Sequence, residues 1–248
     1  MNDSTNPATQ VLPDAGSNLT KKAQVADMFD SIAGKYDFLN HFLSMGIDKG
    51  WRKKAIKEIA AIQPQTILDV ATGTGDLAVA ASKLNPEKII GIDISEGMLE
   101  VGKKKIAALH LDHIIQLQKG DSEALAFGDN SFDAITCAYG VRNFENLTAG
   151  LTEMKRVMKP GGKMAILEFS HPKNFPVKQL YQFYFRFILP TLGKMVSKHQ
   201  SAYTYLPESV MAFPEGKKFC EILNECGFKN AKARPLTLGI TTLYTASK

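Results

Sequence analysis

The sequence predicts an α/β fold: a mostly parallel seven-stranded sheet with an antiparallel C-terminal hairpin strand, fronted by a helical lid. Three observations carry this. From Thr66 onward short apolar runs alternate with longer amphipathic ones, the pattern of strands joined by crossover helices. The first of those runs, Thr66-Ile67-Leu68-Asp69-Val70-Ala71, breaks into Gly73-Thr74-Gly75 and then into Leu77-Ala78-Val79-Ala80-Ala81, a strand, turn and helix in succession. The last two extended runs, residues 231–234 and 241–246, are too close together for a crossover helix and should pair as a hairpin. One strand of a parallel sheet would then run antiparallel at an edge.

Residues 1–19 are rich in Asn, Thr, Ser, Pro, Gly and Asp without periodicity and read as a disordered tail; residues 20–248 read as one domain. Thr20 is placed to cap a helix over residues 21–32, with Val25, Met28, Phe29 and Ile32 on one face. Ala33-Gly34-Lys35-Tyr36-Asp37-Phe38-Leu39-Asn40 and the residues to Gly46 are aromatic but punctuated, as in a lid or pocket wall. A helix over 48–62 completes the lid and leads into the first strand. The second strand is 88–93, with its helix starting near Ser95; the third is 114–119, and the fourth, 132–138, ends at Tyr139-Gly140. A helix over 147–158 stops at Lys159-Pro160-Gly161-Gly162, and 163–168 is the fifth strand. Residues 175–196 break the alternation with Phe175, Tyr181, Phe183, Tyr184, Phe185 and Phe187 among Lys178, Arg186, Lys194 and Lys198. The helix over 216–226 has Gly227 as its C-cap.

Of the 248 residues 44% are hydrophobic and 22% charged, an ordinary globular balance with enough chain for one sizeable core. A net charge of +5 is too small to indicate nucleic acid, yet it tolerates an anionic membrane surface. Cys137, Cys220 and Cys226 have no metal-like spacing, and their odd count argues against a disulfide framework, which fits a reduced, cytoplasmic setting. No basic-then-apolar leader and no window of membrane-spanning length is present, so the expectation is a cytoplasmic protein able to touch the inner face of the membrane. His41, His110, His113 and His199 form no metal-like group; His171, after the fifth strand, could reach a substrate mouth but reads rather as a solvated turn residue.

The glycine turn allows two ligands. Gly73-x-Gly75-x-x-Ala78 with Asp93 twenty residues on satisfies the loose dinucleotide fingerprint. Asp69 just before the loop instead suits a cationic ligand such as S-adenosylmethionine, with its ammonium and sulfonium. A closing hairpin also belongs to Rossmann-like methyltransferases rather than to nicotinamide domains. Asp69, Asp93 and Asp121 stand at three successive strand ends, which a parallel sheet brings to one ligand-binding edge. There Asp69 would help hold the amino-acid moiety through the loop of Gly73, Thr74 and Gly75, and Asp93 would accept both ribose hydroxyls. Asp121 would accept from the adenine amine while the Ser122 N–H donates to the ring, and Ala138 closes the set from the fourth strand.

Asp69-Val70-Ala71-Thr72-Gly73-Thr74-Gly75-Asp76 resembles the first motif of the class I methyltransferases that use S-adenosylmethionine. Residues 156–170, Arg-Val-Met-Lys-Pro-Gly-Gly-Lys-Met-Ala-Ile-Leu-Glu-Phe-Ser, resemble the second signature of the menaquinone and ubiquinone biosynthesis C-methyltransferases. Tyr36-Asp37-Phe38-Leu39-Asn40 with Leu43-Ser44 and Trp51 resembles their first signature, and Gly140-Val141-Arg142-Asn143 their turn after the fourth strand. The resemblance covers residues 21–248. Two positions depart from it: Leu39 stands in place of the usual Met, and Asp48 in place of His, which weakens a catalytic role there.

The resemblance implies transfer of a methyl group from S-adenosylmethionine to a ring carbon of a prenylated hydroquinone. Such a carbon is a weak nucleophile unless the neighbouring hydroxyl is ionised or polarised, so the site must position the ring and stabilise phenolate charge or take up a proton. Arg142, Tyr36 and Asp121 are the catalytic candidates: Arg142 as a fixed cation, since arginine is no base at neutral pH, with Tyr36 and Asp121 holding a water or the ring hydroxyl. The bland alternatives are a structural bridge for Arg142 and a packed lid aromatic for Tyr36. No metal is called for. Residues 171–214 would form an insertion grooved for the prenyl tail, with aromatics and interleaved cations suited to peripheral membrane contact or to a partner subunit in a homodimer. The 181–194 stretch looks more like the menaquinone-only members, which favours demethylmenaquinol over the benzoquinol of the ubiquinone pathway. A methyltransferase for another small molecule, a nicotinamide-dependent reductase and a non-catalytic scaffold are the rivals.

Overall fold

A computed structural model describes residues 11–44, 46–183 and 201–248. Two lid helices, α1 (Lys21–Leu43) and α2 (Ile47–Ala60), precede β1 (Thr66–Val70), α3 (Asp76–Ala81), β2 (Lys88–Asp93), α4 (Glu96–Ala108), β3 (Ile115–Lys119) and β4 (Phe132–Ala138). There follow α5 (Leu147–Val157), β5 (Met158–Phe169), α6 (Val177–Phe183), α7 (Ser201–Ala212), α8 (Lys217–Glu225), β6 (Lys229–Leu236) and β7 (Thr241–Ser247).

The sheet has seven strands in the order β3-β2-β1-β4-β5-β7-β6, with β1 parallel to β2 and β4, and β7 antiparallel to both β5 and β6. The expected hairpin is present, but its antiparallel strand is not at an edge. β7 slots between β5 and β6, because its Leu243 and Tyr244 are buried on opposite faces and need cover that an edge position lacks. The edge falls to β6, whose Lys229, Lys232, Arg234 and Pro235 discourage further pairing.

Period-two alternation along β1 divides the core. Leu68 and Val70 pack with Leu151, Met154, Phe219 and Tyr244 on one face, and Ile67 packs with Trp51, Ile59, Leu77 and Leu99 on the other. Asp69 shares the face of Ile67.

The helix expected to end at residue 32 runs on to Leu43 as α1. Gly34 does not break it: an interior glycine costs only about 1 kcal/mol, less than the burial of Val25, Met28 and Ala33 returns. Residues 11–19, expected as tail, are tied down from Asp14, whose N–H donates to Gln24 Oε1 at 2.9 Å, and Val11 packs near Val25. β5 starts five residues earlier than expected, since Met158 pairs with Phe132 across a bulge. The first ten residues and, within the groove insertion, residues 184–200 lie outside the described residues.

Candidate active site

Strand order reverses between β1 and β4, and an open cleft lies at the carboxyl ends of β1, β2 and β4. Gly73 (φ +55°) and Gly75 (φ +83°) both need the left-handed region, and Gly75 leads into α3. The loop is held from behind. Thr72 N–H donates to Ile92 O at 2.9 Å, and the Thr72 and Thr136 hydroxyls donate to Asp69 at 2.6 and 2.7 Å. Ala71 (φ +52°) and Tyr139 (φ +60°), both non-glycine, close β1 and β4 in the same left-handed region, which concentrates backbone strain at the reversal. Gly140 is needed between them: a Cβ there would stand 2.5 Å from Ala71 Cβ.

Six of the expected residues line the cleft together: Tyr36, Gly73, Asp93, Asp121, Ser122 and Ala138. Asp93 accepts the Gly73 N–H at 2.8 Å and the Ser95 N–H at 2.9 Å, so one carboxylate joins the loop to the start of α4 and keeps lone pairs for a ligand. Burial raises the pKa of Asp93, and those N–H donors oppose the rise.

Asp69 is behind the loop rather than in the cleft, 1% exposed, and reaches a ligand only through the Thr72 hydroxyl and the loop backbone. Burial raises its pKa to about 6, against the two threonine hydroxyls and Arg52. The folded-state pKa lies above the unfolded value of 3.8, so the proton favours the folded chain. That stability is fully present below pH 3.8 and is lost as pH rises through about 6. The loss amounts to roughly 3 kcal/mol. Melting temperature followed from pH 4 to 7 should therefore fall in the parent relative to Asp69→Asn, whose neutral amide does not titrate. Parallel profiles would contradict the shift.

Thr74 and Gly75 are likewise buried beside the cleft, not on its wall. Thr74 donates its hydroxyl to Asp37 at 2.5 Å, Lys105 bridges Thr74, Asp37 and Asp76, and Arg52 joins Asp76 to Asp48. This network fastens both lid helices to the glycine loop. It also accounts for Asp48, buried as the partner of Arg52 and Ser44 and away from the cleft.

Arg142 sits deeper than a residue in direct contact with the cleft. Its side chain is 6% exposed and does not line the cleft: it is paired with the fully buried Glu168 at 2.9 Å, donates to Tyr139 O, and stacks 5.6 Å from the Phe169 ring centroid. The guanidinium, expected as a fixed cation or alternatively as a structural bridge, makes a bridge that braces the Tyr139 turn. Trp51 braces the same turn from α2, edge-on to Tyr139, with its indole N–H on Thr237 Oγ1 at 2.7 Å. His171 is not simply solvated either: its backbone N–H donates to Glu215 at 2.7 Å, and its ring is edge-to-face with Tyr181.

Further residues that were not among the expected site residues line the cleft. Lys22 of α1 crosses the cleft to Asp121 (2.6 Å) and Glu123 (3.3 Å), and Met98, Tyr139 and Asn143 complete the wall. Among the described residues no group of His, Cys, Asp and Glu is placed to hold a metal ion.

A glycine loop at the reversal of such a sheet, acids at successive strand ends and a β7 inserted antiparallel define a class I methyltransferase. The solved structure of an S-adenosylmethionine-dependent methyltransferase from Thermotoga maritima has the same fold, at a TM-score of 0.61 and 16% identity over 90% of this chain and 99% of that one. The chain belongs to the ubiE/COQ5 methyltransferase family, whose model matches residues 17–248. It is 51% identical over 229 residues to the demethylmenaquinone methyltransferase of Bacteroides fragilis, covering 92% of this chain and 94% of that one. It is 48% identical over 233 residues to the ubiquinone/menaquinone biosynthesis C-methyltransferase UbiE of Geotalea daltonii (93% and 99%), and 44% identical over 230 residues to the demethylmenaquinone methyltransferase of Porphyromonas gingivalis (92% and 94%).

Proposed function

We propose that this chain transfers a methyl group from S-adenosylmethionine to a ring carbon of demethylmenaquinol, giving menaquinol. The observation that carries the reading is the cleft itself, where the bare backbone at Gly73 and the carboxylates of Asp93 and Asp121 stand at successive strand ends of a family member. The 51% identity to a demethylmenaquinone methyltransferase favours the naphthoquinol over a benzoquinol.

The residues fit an adenosyl ligand. Gly73 brings backbone without a side chain to the cleft wall, which lets the methionine moiety approach the loop closely. On the cleft wall, Asp93 would accept the ribose hydroxyls, and Asp121 and Ser122 would hold the adenine edge. When bound, the cofactor supplies an electrophilic methyl on a sulfonium. Tyr36, on α1 at the cleft wall and edge-on to Phe29, orients the quinol hydroxyl or a water that takes its proton. Arg142 acts at one remove, through the Tyr139 turn. The prenyl tail leaves along α6, where Phe175, Leu180 and Phe183 are more than half exposed beside Lys178, a surface suited to peripheral contact with an anionic membrane. No helix among the described residues is long and apolar enough to cross a membrane.

The deciding experiment supplies purified protein with methyl-labelled S-adenosylmethionine and reduced demethylmenaquinone in detergent. Label in menaquinol supports the function, and Tyr36→Phe should lower the rate in the same assay. Cofactor binding with no transfer to a naphthoquinol would sink the substrate; transfer to a benzoquinol alone would move the chain to the ubiquinone pathway.

A further inference from the structure

The turn at the end of β4 is held from two sides, and the second side comes from far along the chain. Tyr139 keeps its left-handed conformation although a non-glycine residue there costs about 1 kcal/mol or more, so its surroundings must hold it. From beneath, Arg142 and Glu168 grip the Tyr139 carbonyl and the turn backbone. From the cleft side, Asn143 Nδ2 donates to the same carbonyl at 3.4 Å, and the Asn143 N–H closes the turn on Gly140 O at 2.9 Å. The Asn143 side chain is fixed in turn by Tyr205 of α7, whose hydroxyl donates to Asn143 Oδ1 at 3.1 Å. Tyr205 is 2% exposed and packs with Val25 and Met28 of α1. Tyr139, Gly140 and Asn143 all line the cleft; Tyr205 does not.

We propose that Tyr205 is a positioning residue for methyl transfer, fixing through Asn143 the strained turn that faces the reacting atoms. This rests on the methyltransferase reading above. The hydroxyl suits the task because it donates to Oδ1 and so leaves Nδ2 directed at Tyr139. Burial pushes the Tyr205 pKa up to about 12, so the donor persists across the working range.

The test compares Tyr205→Phe, Asn143→Ala and the double variant; phenylalanine keeps the ring packed on α1. Tyr205→Phe should lower kcat about tenfold, the scale of one lost buried hydrogen bond, with quinol KM and the Kd for S-adenosylhomocysteine within about twofold. In protein without ligand, amide hydrogen exchange of residues 139–144 should quicken about tenfold on the same scale. In the Asn143→Ala background, Tyr205→Phe should change kcat less than about twofold, since the hydroxyl has lost its acceptor. Additive effects, unchanged exchange, or a loss in Kd rather than kcat would each overturn the proposal. Failure of the methyltransferase reading is distinguishable, because the parent would then transfer no methyl while the exchange difference remained.

Discussion

Asp93→Asn should weaken S-adenosylhomocysteine binding by about a hundredfold, a cost near 3 kcal/mol. The carboxylate accepts the Gly73 N–H on one oxygen and the Ser95 N–H on the other. An amide must turn its NH2 toward one of them, setting donor against donor. Either orientation harms the site, by freeing the glycine loop or by uncapping the turn into α4, and the charge that would grip two ribose hydroxyls is lost in both. Calorimetric titration measures the change directly, with far-ultraviolet circular dichroism to show that the fold is kept. A Kd within about threefold of the parent would remove Asp93 from the ribose contact.

The second large effect concerns stability. Glu168→Leu leaves the Arg142 guanidinium buried without its anion, a change that costs about 3–5 kcal/mol and should lower the melting temperature by about 10 °C or more. The double variant Glu168→Leu with Arg142→Met removes both charges and should recover most of that loss, because apolar groups of similar size substitute well for a buried pair. Methyl transfer should stay low in the double variant, since the Tyr139 carbonyl has still lost its Arg142 donor. A single variant that melts with the parent would show that Arg142 finds another partner.

What was legible beforehand depended on whether the signal was local. The glycine pair, the acids at the ends of β1, β2 and β3 and the short terminal link are each local signals, and they point to the sheet and to Gly73, Asp93 and Asp121 on the cleft wall. The depth of Arg142 was not legible because its partner Glu168 is on the neighbouring strand, and a cation on a turn looks the same from sequence whether it faces a ligand or a buried acid. Asp69 was placed well along the chain but not in depth. It shares a face with Ile67, and strand alternation alone points it under the loop. Lys22 and Tyr205 could not have been found: their partners Asp121 and Asn143 are met only after α1 and α7 dock across the sheet. α1 exceeds the expected 21–32 because Gly34 takes an exposed position in the helix, where glycine is tolerated.

The place of β7 has a consequence for how the chain assembles. β6 and β7 can meet as a local hairpin within microseconds, but β7 must then find β5, pairing Lys163 with Ser247 and Phe169 with Thr241. Until that distant closure β5 is an open strand edge displaying Ala165, Ile166 and Leu167, the kind of surface on which incompletely folded chains aggregate. Refolding yield should therefore be governed by the docking of the hairpin, the slowest contact to close, and not by the glycine loop on which activity depends.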